Sequence, residues 1–147
     1  MTESTQWKLD SEKFIEQLFN NEDSQPYRQA VDPIQFPFYR NVIDNPIDLS
    51  EIKRKLESNE YLNPIELRKD FRLMFENAKA FNRDPKSKIR VINKKLYILS
   101  EEKLRIIVTD WERVYAYEQK QKNTTGFRPR QPTSRDKLWG YGAKQYY

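Results

Sequence analysis

The side chains that carry most enzymatic chemistry are missing from this chain. It has no histidine and no cysteine, which removes the commonest general base, the commonest metal ligand, any thiolate nucleophile and any disulfide. Acid–base work would fall to Asp, Glu, Lys, Ser or Tyr, and no constellation of these stands out. Asp44 and Asp48 come closest to a carboxylate pair, yet Asp48 stands where a helix needs a capping acceptor. Asn82 follows an aromatic residue and precedes Arg83-Asp84-Pro85; taken alone, that context suits a left-handed helix C-cap as well as a ligand-binding amide. The segment KQKNTTGFRPRQPTSRDKLWGYGAKQYY interleaves seven basic residues with Phe127, Trp139, Tyr141, Tyr146 and Tyr147, a mixture suited to phosphate attraction and base stacking. A solvated linker, or a segment docked back on the domain, fits it too. The residue types therefore favour a binding module over an enzyme, with no cofactor and no metal.

Such residues need elements to position them. Phe14, Ile15, Leu18 and Phe19 make one apolar face of a helix from about Asp10 to Asn20, with Trp7 and Ser11 one turn earlier. From Ser24 to Pro46 four prolines (Pro26, Pro33, Pro37, Pro46) break helical continuity. The same stretch carries Tyr27, Val31, Ile34, Phe36, Phe38, Tyr39, Val42 and Ile43, so it reads as a packed, site-forming loop rather than a disordered linker. Asp48 and Glu51 form a capping box for a second helix running to about Ser58, with Ile52 and Leu56 inward. Asn63, Pro64 and Glu66 start a third, whose Ile65, Leu67, Phe71, Met74, Phe75 and Ala78 keep the helical period to Phe81-Asn82. A fourth begins near Ser87, carries Ile89, Ile92, Leu96, Leu99, Leu104, Ile107, Trp111 and Val114, and fades past Tyr117. The expected class is all-α, a four-helix bundle with one long apolar first connection.

At 147 residues the chain suits one domain. Its net charge of +5 is unevenly placed: residues 1–117 balance 20 basic against 20 acidic residues, whereas 118–147 hold 7 basic, 2 acidic and all three glycines. That shift sets the expected boundary, a domain over 1–117 and a basic, aromatic-containing tail or linker over 118–147. No apolar run approaches the roughly 18 residues of a membrane span, and the N-terminus lacks a signal-peptide pattern. A soluble intracellular protein without membrane contact is expected.

The segment FPFYRNVIDNPIDLSEIKRKLESNEYLNPIELRKDFRLMFENAKAFN, Phe36 to Asn82, resembles the bromodomain motif block. It holds the Pro-x-Tyr of the loop, Ile-x-x-Pro-Ile-Asp-Leu entering the second helix, Asp-Phe-Arg-Leu-Met-Phe-x-Asn-Ala in the third, and a closing aromatic-Asn pair. The likeness extends over roughly Trp7 to Tyr117, and the loop entry Glu-Asp-Ser-Gln-Pro-Tyr-Arg-Gln-Ala-Val-Asp is similar to the second bromodomain of the WD-repeat bromodomain proteins. The resemblance implies a left-handed four-helix bundle whose two interhelical loops form an acetyl-lysine pocket at one end. By motif position Asn82 would be the recognition asparagine and Tyr39 the loop tyrosine holding a bridging water. Val31 and Phe36 would line the first-loop wall, Ala78 and Phe81 would lie along the third helix, and Ile89 would be the gatekeeper. Pro26 and Tyr27 would belong to the shelf.

The physical chemistry agrees. Acetylation turns an ammonium into a neutral amide with an apolar methyl and stem, which an apolar cleft can bury if the carbonyl oxygen finds a donor. An asparagine amide donates without a charge to desolvate, and a water held by Tyr39 adds a second contact. Unmodified lysine would meet donor with donor and bury its charge unpaired. Two departures stand out. Gln25-Pro26-Tyr27 replaces the Trp-Pro-Phe shelf of many members, putting a hydroxyl where phenylalanine lines the methyl pocket. The connection from Asn82 to Ile89 is slightly longer than in some members, which leaves the gatekeeper position open to a neighbour.

The expected function is a nuclear, non-enzymatic, monomeric reader of acetylated histone or other nuclear-protein peptides. A helical nucleic-acid-binding or scaffolding module acting through weak DNA or RNA contacts of the basic tail is the alternative.

Overall fold

The computed structural model describes residues 5–124; the expectations placed on 125–147, nucleic-acid contact or docking by the tail, lie outside the described residues. Four helices dominate: α1 (Gln6–Phe19), α3 (Leu49–Glu57), α4 (Pro64–Phe81) and α5 (Lys88–Thr124). The long first connection contains a 3-10 helix (Glu22–Tyr27) and one turn, α2 (Tyr39–Val42).

Each helix forms where its apolar stripe meets a stop signal. In α1 the stripe Trp7, Ser11, Phe14, Ile15, Leu18 is buried, and the helix starts at Gln6 rather than near Asp10 because the Trp7 indole belongs to that face. Asp48 accepts the Glu51 N–H at 2.9 Å and opens α3. Asn63 accepts the Ile65 and Glu66 N–H groups and opens α4, with Pro64 in the first turn. The reciprocal halves of the two capping boxes differ from expectation. The Glu51 carboxylate turns to Arg54, and Glu66 accepts the N–H of Leu62, one residue upstream of the cap. α3 ends with Asn59 at φ 57°. The Glu60 N–H returns to the Lys55 carbonyl and that of Asn59 to Leu56, the paired bonds of a Schellman cap.

α5 packs on α4 and α1, and α3 on α1 and α4. The core joins Trp7, Phe14, Ile15 and Leu18 to Leu49, Ile52, Leu56, Tyr61, Leu67, Phe71, Met74, Phe75, Leu96, Leu104 and Ile107. Burying each large side chain is worth about 1.5–3 kcal/mol. The inner face of α5 differs from the expected series. Leu99 is 44 % exposed, while Asn93 and Ser100 are buried, so the face runs through 93, 96, 100, 104 and 107. α5 also continues to Thr124, past the expected fade at Tyr117. The first connection is less packed than its composition suggested. Tyr27 and Ile43 are buried, but Ile34 is 90 % and Phe38 70 % exposed, because a loop lying across the end of a bundle can bury only one of its sides. No helix among the described residues is long and apolar enough to cross a membrane.

Candidate functional site

One end of the bundle gathers the C-terminus of α4, the first connection with α2, and the turn between α4 and α5. Phe81 is the last residue of α4, and two rings of the first connection stand on it edge-to-face. Tyr39 lies 4.9 Å away, centroid to centroid, at 67°, and Phe36 lies 5.9 Å away at 85°. Such pairs contribute about 0.5–1.5 kcal/mol each beyond area burial. They fasten the middle of the loop to α4 beside the next residue, Asn82.

Asn82 is the C-cap of α4, with φ −103° and ψ 85°, so it is not the left-handed cap that its context allowed. Its backbone N–H and its side-chain Nδ2 both donate to the Ala78 carbonyl, at 3.0 and 2.8 Å. A carbonyl facing the side chain requires the NH₂ rather than the oxygen there, and one amide hydrogen is thereby committed. The second hydrogen and Oδ1 take no partner among the described residues, and the side chain is half-buried. Arg90 holds the turn from behind, its Nη1 donating to the Asn82 carbonyl at 3.0 Å and the Arg83 carbonyl at 3.2 Å.

The Tyr39 hydroxyl is pushed above the ordinary tyrosine range, first by burial and then by the Asp48 carboxylate. At neutral pH it is therefore an uncharged donor–acceptor. Val31, Ala78 and Ile89 are half-buried. Pro26 and Gln25 are exposed. Tyr27 is not grouped with Phe36, Tyr39 and Phe81. It is 5 % exposed in the core, its ring edge-to-face on Phe75 at 5.4 Å, and its hydroxyl donates to Asn93 Oδ1 at 2.6 Å. Asn93 in turn donates to the Phe75 carbonyl at 3.1 Å.

Three residues to which the sequence reading gave no site role fix the loop, although Asn77 and Arg28 stand within its motifs. The buried Asn77 donates from Nδ2 to the Asn45 carbonyl at 2.8 Å, pinning the end of the connection to α4. The Ser50 hydroxyl donates to the Arg28 carbonyl and pins its beginning. The Arg28 guanidinium donates to Ser24 Oγ and to the Asn21 carbonyl. The signal for Asn77 and Asn93 was a polar residue within an apolar helical stripe, which reads as surface until a buried acceptor is known. Among the described residues no group of three or more acidic side chains is placed to hold a metal.

A family model of the bromodomain matches residues 11–95, more than half of the chain and every residue of this site. The chain belongs to the bromodomain family. Its fold is the all-α bromodomain bundle, and the family is one of non-enzymatic acetyl-lysine reader modules. Among solved structures, the bromodomain of human BAZ1A superposes with a TM-score of 0.63 at 26 % identity, covering 67 % of this chain and 91 % of that one. A nucleosome-remodeling factor subunit NURF301-like protein of Caenorhabditis elegans is 41 % identical over 70 residues, 48 % of this chain. Bromodomain-containing factor 1 of Saccharomyces cerevisiae is 45 % identical over 62 residues, 41 % of this chain. The matched regions span only 3 % and 9 % of those two proteins.

Proposed function

We propose that this bromodomain binds acetylated lysine in histone tails or other nuclear proteins, and that it acts in the nucleus within chromatin-associated machinery. The observation that carries the reading is the Asn82 amide. One hydrogen is spent on the Ala78 carbonyl, which aims the group, and the other is left open beside the Phe36–Tyr39–Phe81 rings. In this reading Asn82 donates to the acetyl carbonyl and Tyr39 adds a water-mediated contact. Val31, Phe36, Ala78 and Ile89 cover the methyl and stem, Pro26 forms what remains of the shelf, and Phe81 braces the wall. Tyr27 supports that wall from the core side through Asn93 rather than presenting its hydroxyl to ligand. The reader unit takes in the bundle, whose last helix runs past Tyr117 to Thr124, so the boundary near residue 118 is one of composition, where the basic, aromatic-containing segment begins. The similarity to a nucleosome-remodeling factor subunit supports the chromatin setting.

A single side chain in one pocket gives modest affinity, since a flexible peptide loses freedom on binding. Calorimetric titration with acetylated and unacetylated histone-tail peptides tests the reading. Only the acetylated forms are expected to bind, and Asn82→Ala is expected to reduce affinity at least tenfold, the scale of one buried hydrogen bond, while circular dichroism stays unchanged. Equal binding of both peptide forms, or an Asn82→Ala protein that binds normally, would remove the reading.

A further inference from the structure

The turn leading out of Asn82 has a charge pattern that acetyl-lysine recognition does not use. Between Arg83 and Arg90 stand Arg83, Lys86, Lys88 and Arg90 against one acid, Asp84. Arg83, Lys86 and Lys88 are exposed, and none of them meets a carboxylate among the described residues. Elsewhere Arg54 pairs with Glu51 and Glu60, Lys55 with Asp70, and Arg72 with Glu101; what sets residues 83–90 apart is the crowding of four cations into one turn. Asp84, whose Oδ1 accepts the Lys86 backbone N–H, keeps its negative charge and offsets one of the four cations, which leaves the turn three positive charges in excess. Arg90 spends its donors on the carbonyls of Asn82 and Arg83 and adds a positive charge without taking a negative one. Lys88 and Arg90 also fall in the first turn of α5, which holds no acidic residue, although a helix N-terminus favours negative charge.

The cations are displayed on a held backbone. The Ser87 hydroxyl and N–H both donate to the Asp84 carbonyl, at 2.8 and 3.1 Å, and Ser87 Oγ accepts the Arg90 N–H at 3.4 Å. The first connection, on the other side of the site, carries Arg28, Asp32, Arg40 and Asp44 between Ser24 and Pro46 and has no positive excess. The site therefore has one cationic lip, next to the amide that grips the ligand.

We infer that residues 83–88 form an anion-binding lip, and that the preferred ligand carries an acidic or phosphorylated residue flanking its acetyl-lysine. The inference rests on the acetyl-lysine reading of Asn82 and names the ligand's neighbouring chemistry. A peptide with lysine or arginine at that flank meets like charge, which lowers affinity and slows encounter. A carboxylate or phosphate there gains up to three exposed cations, of which Arg83 can make a bidentate contact.

The test uses the full chain and peptides that share one acetylated core and differ only at the flank: aspartate, phosphoserine, serine or lysine. An unacetylated aspartate peptide and a duplex DNA complete the set. Affinities are measured for the wild type and for the combined Arg83→Gln, Lys86→Gln, Lys88→Gln variant, whose three positions are exposed. The aspartate and phosphoserine peptides are expected to bind about five-fold tighter than the serine peptide, the scale of one or two exposed ion pairs, and the lysine peptide more weakly. The preference is expected to vanish in the variant and near about 1 M salt, with the serine peptide's affinity unchanged. Acetyl-dependent binding with no flank preference would overturn the lip and leave the reader intact. Failure of every acetylated peptide would overturn both. Loss of DNA binding in the variant with an unaltered peptide preference would reassign the cations to nucleic-acid phosphate.

Discussion

Replacing Tyr27 by phenylalanine separates a family-based expectation from a structural one. Phenylalanine is the usual residue at this shelf position in the family, so likeness alone predicts a harmless change that relieves the pocket of a hydroxyl. The structure predicts damage. The Tyr27 hydroxyl donates to Asn93 Oδ1 at 2.6 Å, both residues are buried, and Asn93 reaches onward to the Phe75 carbonyl. Tyr27→Phe removes the donor and strands a buried amide oxygen, a loss of about 1–3 kcal/mol. Asn93→Leu strands the tyrosine hydroxyl and should destabilise by a similar amount. The double variant removes both polar ends and should lose less than the sum, with a coupling of about 1 kcal/mol or more. Urea unfolding of the four proteins measures these quantities, with m-values confirming that only stability has changed. Acetyl-peptide affinity of Tyr27→Phe should stay within about twofold, because one net hydrogen bond's worth of core stability is not a ligand contact. A Tyr27→Phe protein as stable as the wild type, with no coupling to Asn93, would refute the reasoning. Tighter peptide binding would show instead that the hydroxyl faces the ligand.

Other expectations follow from the same contacts. Asn77→Ala removes the pin on the Asn45 carbonyl; because Asn45 is exposed and can be hydrated, the loss should be only about 1 kcal/mol. Faster amide exchange around residues 43–46 and weaker peptide binding should accompany it, and unchanged exchange there would deny Asn77 its anchoring role. Asn59→Gly should be close to neutral and Asn59→Val destabilising by about 1 kcal/mol or more, given φ 57° at that position; equal melting temperatures for the two would contradict the strained cap. Burial moves the ionisation of the Tyr27, Tyr39 and Tyr61 hydroxyls to higher pH, with Asp70 adding to the effect at Tyr61. Their folded values stand above the unfolded value of about 10, so this contribution is complete below that pH and is lost as pH rises past it toward the folded values. The urea midpoint should be flat to about pH 9 and fall above about pH 10; a midpoint that holds at about pH 11 would mean the phenols are not buried as described.

The helices were legible because each has an apolar stripe and because α3 and α4 also open on a side-chain cap. Asp48 and Asn63 open α3 and α4 as their residue types require. The inner face of α5 was only partly legible. Leu99 and Ser100 are adjacent, so a helical period cannot decide which faces in, and hydrophobicity favours the wrong one. The length of α5 was hidden for another reason. Composition changes near residue 118, but no glycine occurs before Gly126 and no proline between Pro85 and Pro129, and a change of charge does not break a helix. At the site, Tyr39, Phe81 and Asn82 stood out through their motif. That Phe36 and Tyr39 share one ring, Phe81, and that Asn82 spends a hydrogen on Ala78, are tertiary facts. The fate of the Tyr27 hydroxyl depends on a residue 66 positions away and had no local signal.

The pins on the first connection have a kinetic consequence. Ser50 holds its beginning, Phe81 its middle and Asn77 its end, so a ligand need not fold this wall before it can dock. Binding to such a wall forfeits little loop freedom, and encounter should run at rates that vary little among peptides of like charge at the flank. Differences between peptides that engage only the pocket should then reside in how long each complex lasts. Cutting one pin should instead slow arrival, by making a fraction of the molecules wait for their wall to reassemble.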